Sequence, residues 1–598
     1  MAQQDNLVLR SSYVTMRDGV RLAVSVWLPE ESEAGMPRSA VMASTRYWRA
    51  MALKDDKPEN QSSFLFASHL WSCGYVLVVC DVRGTGASFG HREMELPSDE
   101  VADLGELIEW VAAQPWCDGQ VATTGTSYTA NTTLMSCATS PPPLKVGVAR
   151  AMDFDVYRQL ICPGGILNTW MADTWGEMTG AMDRNDAAVV MADEADEVKE
   201  MVIGVRPVDD DTQGAMLAEA VSGHRDNFNA KEVRDFLEFI DDTRQGHPGV
   251  GLESFAIYHH QDAIEAKAMP IVYRAGWFDA GVPAGAMSFF SSFSNPRRVI
   301  VGPWNHGGDF RADPFQPGDG IHPEVIPAEQ VFNQVVGSID AFLKPGAEPL
   351  EMNVLEYYTL GENRWKSTHV WPLPETRMER MYLSADKTLR PDAPTDTSGC
   401  DVYRVDPTAG TGQCNRWHTQ VGGGPVHHPD RREADRKLLV YDSQPLEAAV
   451  EITGHPLIHL NVRSTAPDGQ FFAYLEAVLP DGQVKLVTEG QLRAVHRKVS
   501  DDPPPYTMFG PYHTCKREDA IPLVPGELAQ VAFDLFPISI RFEAGWRIRL
   551  AIAGADRDVF DPISGCEAPE ITLERNARYS SFIDLPTIPT EDQGVINA

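Results

Sequence analysis

Gly125-Thr126-Ser127-Tyr128-Thr129 sets a serine two residues after a glycine. The pentad follows the run Val121-Ala122-Thr123-Thr124 and opens a helix-compatible stretch to about Ala138. A serine in a tight strand-to-helix turn projects its hydroxyl above the sheet, which is how a nucleophile elbow reads. Thr129 stands where the usual G-x-S-x-G pattern has its last glycine. Alone, the pentad equally fits a turn with a capping serine. Two later segments add partners. Pro270-Ile271-Val272-Tyr273-Arg274-Ala275-Gly276-Trp277-Phe278-Asp279 is a β-type run that ends in glycine and an acid. Arg298-Val299-Ile300-Val301-Gly302-Pro303-Trp304-Asn305-His306 ends in a Gly-Pro turn and a histidine. Each polar residue falls past the carboxyl end of a strand, the edge along which open α/β sheets place their sites. The chain order Ser127, Asp279, His306 is the α/β-hydrolase order of nucleophile, acid and base.

These residue types suit acyl transfer. A serine hydroxyl must lose its proton as it attacks. A neutral imidazole accepts that proton and returns it to the leaving group. A buried carboxylate fixes the imidazole tautomer and stabilises the imidazolium. Taken singly, Asp279 could cap a turn, and His306 is one of sixteen histidines. Three strand ends in the right order are harder to assign to chance.

The chain resembles the cocaine esterase family of serine hydrolases, whose relatives include X-Pro dipeptidyl-peptidases and α-amino acid ester hydrolases. The likeness runs through Arg17-Asp18-Gly19-Val20-Arg21-Leu22, Asp81-Val82-Arg83-Gly84 with Ala87-Ser88, and Trp116-Cys117-Asp118-Gly119. It continues through Gly125-Thr126-Ser127-Tyr128, Gly276-Trp277-Phe278-Asp279 and Gly302-Pro303-Trp304-Asn305-His306. The family pattern has glycine where this chain has Ala130. The resemblance implies an oxyanion hole made of a tyrosine hydroxyl after the third strand and the N–H following the nucleophile. Those roles fall to Tyr47, after Ala40-Val41-Met42-Ala43-Ser44, and to Tyr128. It implies no metal and no organic cofactor, and it leaves a homodimer open.

Composition bounds the answer. At 598 residues, several domains are expected. A net charge of −34 argues against nucleic acid and anionic membrane surfaces as partners. It fits a solvated acidic surface and also a site for a cationic substrate. No run reaches the length of a membrane span, and the start Met1-Ala2-Gln3-Gln4-Asp5-Asn6 shows no secretory signal. The nine cysteines form no C-x-x-C pair, so a reduced, cytoplasmic setting is expected.

The fold class expected is an α/β-hydrolase domain with an inserted helical cap, followed by an all-β domain. Residues 1–155 read as the first α/β part. Asp18-Gly19 makes a hairpin turn, Gly74 to Asp81 a buried parallel strand, and Ser98 caps a helix with Val101, Leu104, Leu107, Ile108 and Val111 on one face. Residues 156–262, rich in Met, Ala, Asp and Glu, read as a helical cap, as in Ala192-Asp193-Glu194-Ala195-Asp196-Glu197-Val198-Lys199-Glu200-Met201. Trp170, Met171 and Trp175 can line an acyl pocket or pack as cap core. Trp48, Phe278 and Trp304, beside the proposed site residues, are further candidates to touch substrate. The α/β part resumes over 263–345. Lys344-Pro345-Gly346-Ala347-Glu348-Pro349 marks a linker. The β-runs of 350–598 suggest a sandwich, which the resemblance makes a jelly roll.

The expected activity is cleavage of a small carboxylic ester, or a related amide, through an acyl-enzyme. The alternatives are an X-Pro dipeptidyl-peptidase, an α-amino acid ester hydrolase or β-lactam acylase, and a non-catalytic binding protein on a hydrolase scaffold.

Overall fold

The computed structural model describes residues 7–30, 36–55, 57–192, 194–316, 320–566 and 568–589. Met1–Asn6, Asp193 of the acidic run and the outer ends of the first and last expected domain ranges lie outside the described residues.

The first sheet begins with β1 (Leu7–Thr15) and β2 (Arg21–Pro29), paired antiparallel across the Asp18-Gly19 turn. Then come β3 (Arg38–Thr45), a short β4 (Met51–Leu53) and β5 (Val76–Asp81). β6 (Cys117–Thr126) and β7 (Leu144–Arg150) follow, with β8 (Val202–Val205) paired outside the sheet to β4. β9 (Ile271–Gly276), β10 (Arg297–Gly302), β11 (Val354–Thr359) and β12 (Arg364–Thr368) complete the set. The sheet order is β1-β2-β5-β3-β6-β7-β9-β10-β11-β12. From β5 to β11 neighbouring strands run parallel.

Alternation along the strands feeds two cores. Ala40, Met42, Val76 and Val78 join one apolar cluster, whereas Val41, Leu77 and Val79 join another on the opposite face. α1 (Phe64–Ser72) and the helix Ala328–Leu343 cover the second face. α2 (Ser98–Ala112), α3 (Tyr128–Thr139) and the helix Val282–Ser292 cover the first. This is the α/β-hydrolase layer pattern. One local expectation fails. Ser98 does not cap α2: Pro97 holds the N-cap position, and Ser98 is the first helical residue. Pro97 offers no side-chain acceptor, so no side chain caps this helix start.

Two strands also lie beyond the linker yet belong to the first sheet. β11 pairs parallel with β10, and β12 closes that edge. The expected boundary at 350 falls just before these two strands, which extend the first sheet. The run Val354-Leu355-Glu356-Tyr357-Tyr358 is apolar enough for either sheet, and only the pairing partner decides. From Arg377 to Ile588 the chain forms thirteen further strands, nearly all antiparallel, in which the first, Arg377–Ser384, pairs with the last, Phe582–Ile588.

Between β7 and β9 lies α4 (Thr169–Asp183), with shorter helices and β8. Asn168 caps α4 by accepting from the Met171 N–H. The acidic run helps form a short helix, Asp196–Met201, which leads directly into β8.

Candidate active site

Ser127 occupies the one-residue turn between β6 and α3, with φ 60° and ψ −131°. Positive φ is strained for a residue with a Cβ. The turn is held by Ser127 N–H donating to the Arg150 carbonyl at 3.0 Å, and by the Ser127 carbonyl accepting from Ala130 and Asn131 at 2.8 and 3.1 Å. Thr129 in place of glycine is explained by its neighbour. A Cβ on Gly125 would lie 2.3 Å from Thr129 Cγ2 and 2.5 Å from its carbonyl carbon. Gly125 thus supplies the close approach on which the elbow depends, and Thr129 fills the space above it.

Asp279 follows β9 and His306 follows β10. His306 Nδ1 lies 2.9 Å from Asp279 Oδ1, and both side chains are buried. The same Asp279 oxygen accepts from Gln420 Nε2. Among the described residues, His306 Nε2 has no hydrogen-bond partner. Burial alone would lower the His306 pKa, but the charges of Asp279, Asp153 and Asp309 outweigh it and hold the imidazole above its ordinary value. An Nδ1–H donated to Asp279 leaves Nε2 as the basic lone pair.

Tyr47 lies just past β3, with its N–H on Thr45 Oγ1 at 2.9 Å. Burial holds its phenol above the ordinary value, so it stays a neutral donor. Tyr128 is the first residue of α3, where no intrahelical carbonyl reaches the N–H. Its hydroxyl is committed elsewhere, accepting from Arg92 and donating to Glu100. Behind both tyrosines Arg46, Arg92, Glu95, Glu100 and Asp183 form a buried charge network.

Ser127, Tyr47 and Tyr128 line a cavity of about 60 Å³. Its wall is mainly apolar and includes Met171, Trp175, Leu160 and Phe228. One polar exception is Asp153, whose Oδ1 has no partner among the described residues. Burial pushes the Asp153 carboxyl up to about 7 against the pull of His306, with Asp279 adding to the rise. Asp153 was not singled out in the sequence. Its position three residues past β7, on the edge shared with the other site residues, is the signal that would have found it.

Comparison with known proteins places this arrangement in context. Residues 18–308 match the model of the X-Pro dipeptidyl-peptidase (S15 family). Residues 348–582 match that of the X-Pro dipeptidyl-peptidase C-terminal non-catalytic domain. A Mycobacterium bovis protein bearing a serine esterase name is 40% identical over 610 residues, which covers 97% of this chain and 95% of its own. The chain belongs to the S15 family of serine hydrolases. The cocaine esterase of a Rhodococcus species is 25% identical over 571 residues, 92% of this chain and 91% of that protein. The crystal structure of an α-amino acid ester hydrolase shares the fold, with TM-score 0.71, 18% identity and 98% coverage of each chain.

In this S15 member the other aromatic candidates stand apart from the cavity. Trp48 is buried and donates to the Met182 carbonyl at 3.1 Å. Trp170 packs edge-on to His418, and Phe278 packs edge-on to His428. Trp304 lies beneath the Arg274 guanidinium and against Trp365. Each fills a core or domain contact, the ordinary fate of a large aromatic. Trp175 and Met171 do line the cavity.

The second domain supplies contacts that the sequence reading missed. Besides Gln420, Thr419 Oγ1 accepts from the His306 N–H at 3.2 Å. Arg416 donates to the carbonyls of Ala280 and Trp277 at 2.9 and 3.0 Å. Nothing local marks these residues, which lie more than a hundred positions from their partners. Among the described residues, no group of three or more metal-ligating side chains is assembled, and no helix is long and apolar enough to cross a membrane.

Proposed function

We propose that the protein is a carboxylesterase that forms an acyl-enzyme on Ser127. The observation that carries this reading is the buried Asp279–His306 pair, its Nε2 without a partner among the described residues, on the same sheet edge as a serine held at positive φ. Ser127 Oγ attacks the ester carbonyl as His306 Nε2 takes its proton. Asp279 orients the imidazole and stabilises its charge. The Tyr47 hydroxyl and the Tyr128 N–H hold the oxyanion. The alcohol leaves with the proton from His306, and water then releases the acid by the same route. The serine esterase and cocaine esterase names of the relatives support an ester as substrate. The small apolar cavity beside Ser127 favours a short acyl group.

Asp153 supports a second reading. A carboxylate in the cavity wall, with one oxygen unpartnered among the described residues, would complement an ammonium, as carried by an α-amino ester or a peptide amino terminus. Hydrolysis of p-nitrophenyl acetate, butyrate and benzoate, an α-amino acid ester and an Xaa-Pro anilide separates the two. Turnover of the plain esters, lost in Ser127→Ala, is the expected result. Turnover confined to the amine-bearing substrates would replace the first reading by the second. Full activity in Ser127→Ala would overturn both.

A further inference from the structure

Three consecutive residues of the loop after β3 are each fastened to α4. Arg46 Nη2 donates to Asp183 Oδ1 at 3.2 Å, Trp175 Nε1 donates to the Tyr47 hydroxyl at 3.1 Å, and Trp48 Nε1 donates to the Met182 carbonyl at 3.1 Å. The middle contact has chemical content. An indole N–H is a donor only. At this contact the Tyr47 oxygen must therefore accept, and its one hydrogen is left for another partner. Ser127 lines the same cavity as Tyr47. The indole is itself held in place, with the Arg46 guanidinium 5.1 Å from its ring centre. Tyr47 is braced edge-on against Tyr128 with ring centres 6.2 Å apart.

We propose that Trp175 is a positioning residue of the oxyanion hole: its N–H fixes the Tyr47 hydroxyl so that the phenolic hydrogen points at the carbonyl oxygen of the bound ester. Without the indole donor the hydroxyl rotates among acceptors and must be reoriented in each turnover. The cap helix then does more than wall the acyl cavity, because it carries the group that aims a donor of the hydrolase domain. Preorganised donors act without reorganisation as charge develops.

The inference rests on the esterase reading, and a double-mutant cycle distinguishes their failures. Wild type, Trp175→Phe, Tyr47→Phe and the double variant are compared on p-nitrophenyl acetate and butyrate. Trp175→Phe is expected to lower kcat about five-fold, the size of one neutral hydrogen bond. The loss should be equal for both esters, with a smaller change in KM. In the Tyr47→Phe background the same change should cost nothing further. A full additional loss there, or a loss that grows with acyl length, would show that Trp175 acts only as cavity wall. Tyr47→Phe as active as wild type would overturn the role of Trp175 and leave the esterase reading standing. Absence of wild-type turnover would overturn both. If Trp175→Phe does not fold by circular dichroism, Trp175→Met, also apolar and without an N–H, carries the same cycle.

Discussion

At the scale of single residues, the site is governed by which lone pairs are already occupied. Asp279 Oδ1 is shared between His306 and Gln420, while Oδ2 and His306 Nε2 are unoccupied among the described residues. The imidazole sits between opposing effects, with burial against its charge and three carboxylates for it, and the carboxylates win. With neutral His306 as the proposed base, kcat/KM should fall as pH drops through a pKa above the ordinary 6.5 of histidine. Asp153 is one of the carboxylates that raise it. Asp153→Asn removes that negative charge and should move the acid limb of the profile to lower pH. A pH–rate profile of the two proteins measures this, and an unmoved limb would show that Asp153 does not face His306 in the working enzyme. The same substitution should weaken any α-amino ester more than a plain ester.

At the scale of elements, the elbow joins β6 to α3 through one strained residue, and the strain is supported by close backbone contact. Gly125→Ala drives a methyl group into the Thr129 backbone, which cannot swing aside as a flexible side chain could. We predict a destabilisation of about 1–3 kcal/mol from overpacking. Thermal unfolding should report it as a lowered midpoint, and labelling of Ser127 by a fluorophosphonate should slow. A melting curve and labelling rate unchanged from wild type would contradict the geometry.

The elbow shows how much of the site was legible. Ser127, Asp279 and His306 each follow a short β-run, and strand ends can be read locally because alternation stops and glycine appears. The Thr129 exception could not be read, since its fit depends on a contact across the turn. Gln420 was invisible for a related reason. Its position follows from how two domains meet, which leaves no periodic trace. β11 and β12 show the same limit, because an apolar strand does not name its partner sheet.

At the scale of the whole molecule, the two domains meet across the acid–base pair. Gln420 touches Asp279, Thr419 touches His306, and Arg416 donates to carbonyls on either side of Asp279. Asn305 Nδ2 answers by donating to the carbonyls of Gly423 and Gly424 at 2.8 and 3.1 Å. The proposed nucleophile lies in the first domain, yet the second domain touches both members of the proposed acid–base pair. Gln420→Ala should lower kcat about ten-fold, the size of one charge-assisted hydrogen bond. KM and the circular dichroism spectrum should change little. Wild-type kcat in that variant would show that the contact is structural padding.

The closure of the β domain by its own two ends has a consequence for synthesis. Arg377–Ser384 pairs locally with Thr388–Arg390, but its other edge is covered only when Phe582–Ile588 has been made. The residues near 420 that hold Asp279 and His306 therefore reach their places only as the chain nears completion. Ribosomes add about 5–20 residues per second, so the complete α/β sequence waits many seconds for that strand. During that interval the nascent hydrolase domain should be chemically silent, sparing the cell a hydrolase with an unfinished pocket. Ribosome-stalled chains that end before Phe582 should resist a fluorophosphonate that labels the released protein at once. Labelling of the stalled chains at the full rate would show that the first domain completes its own site.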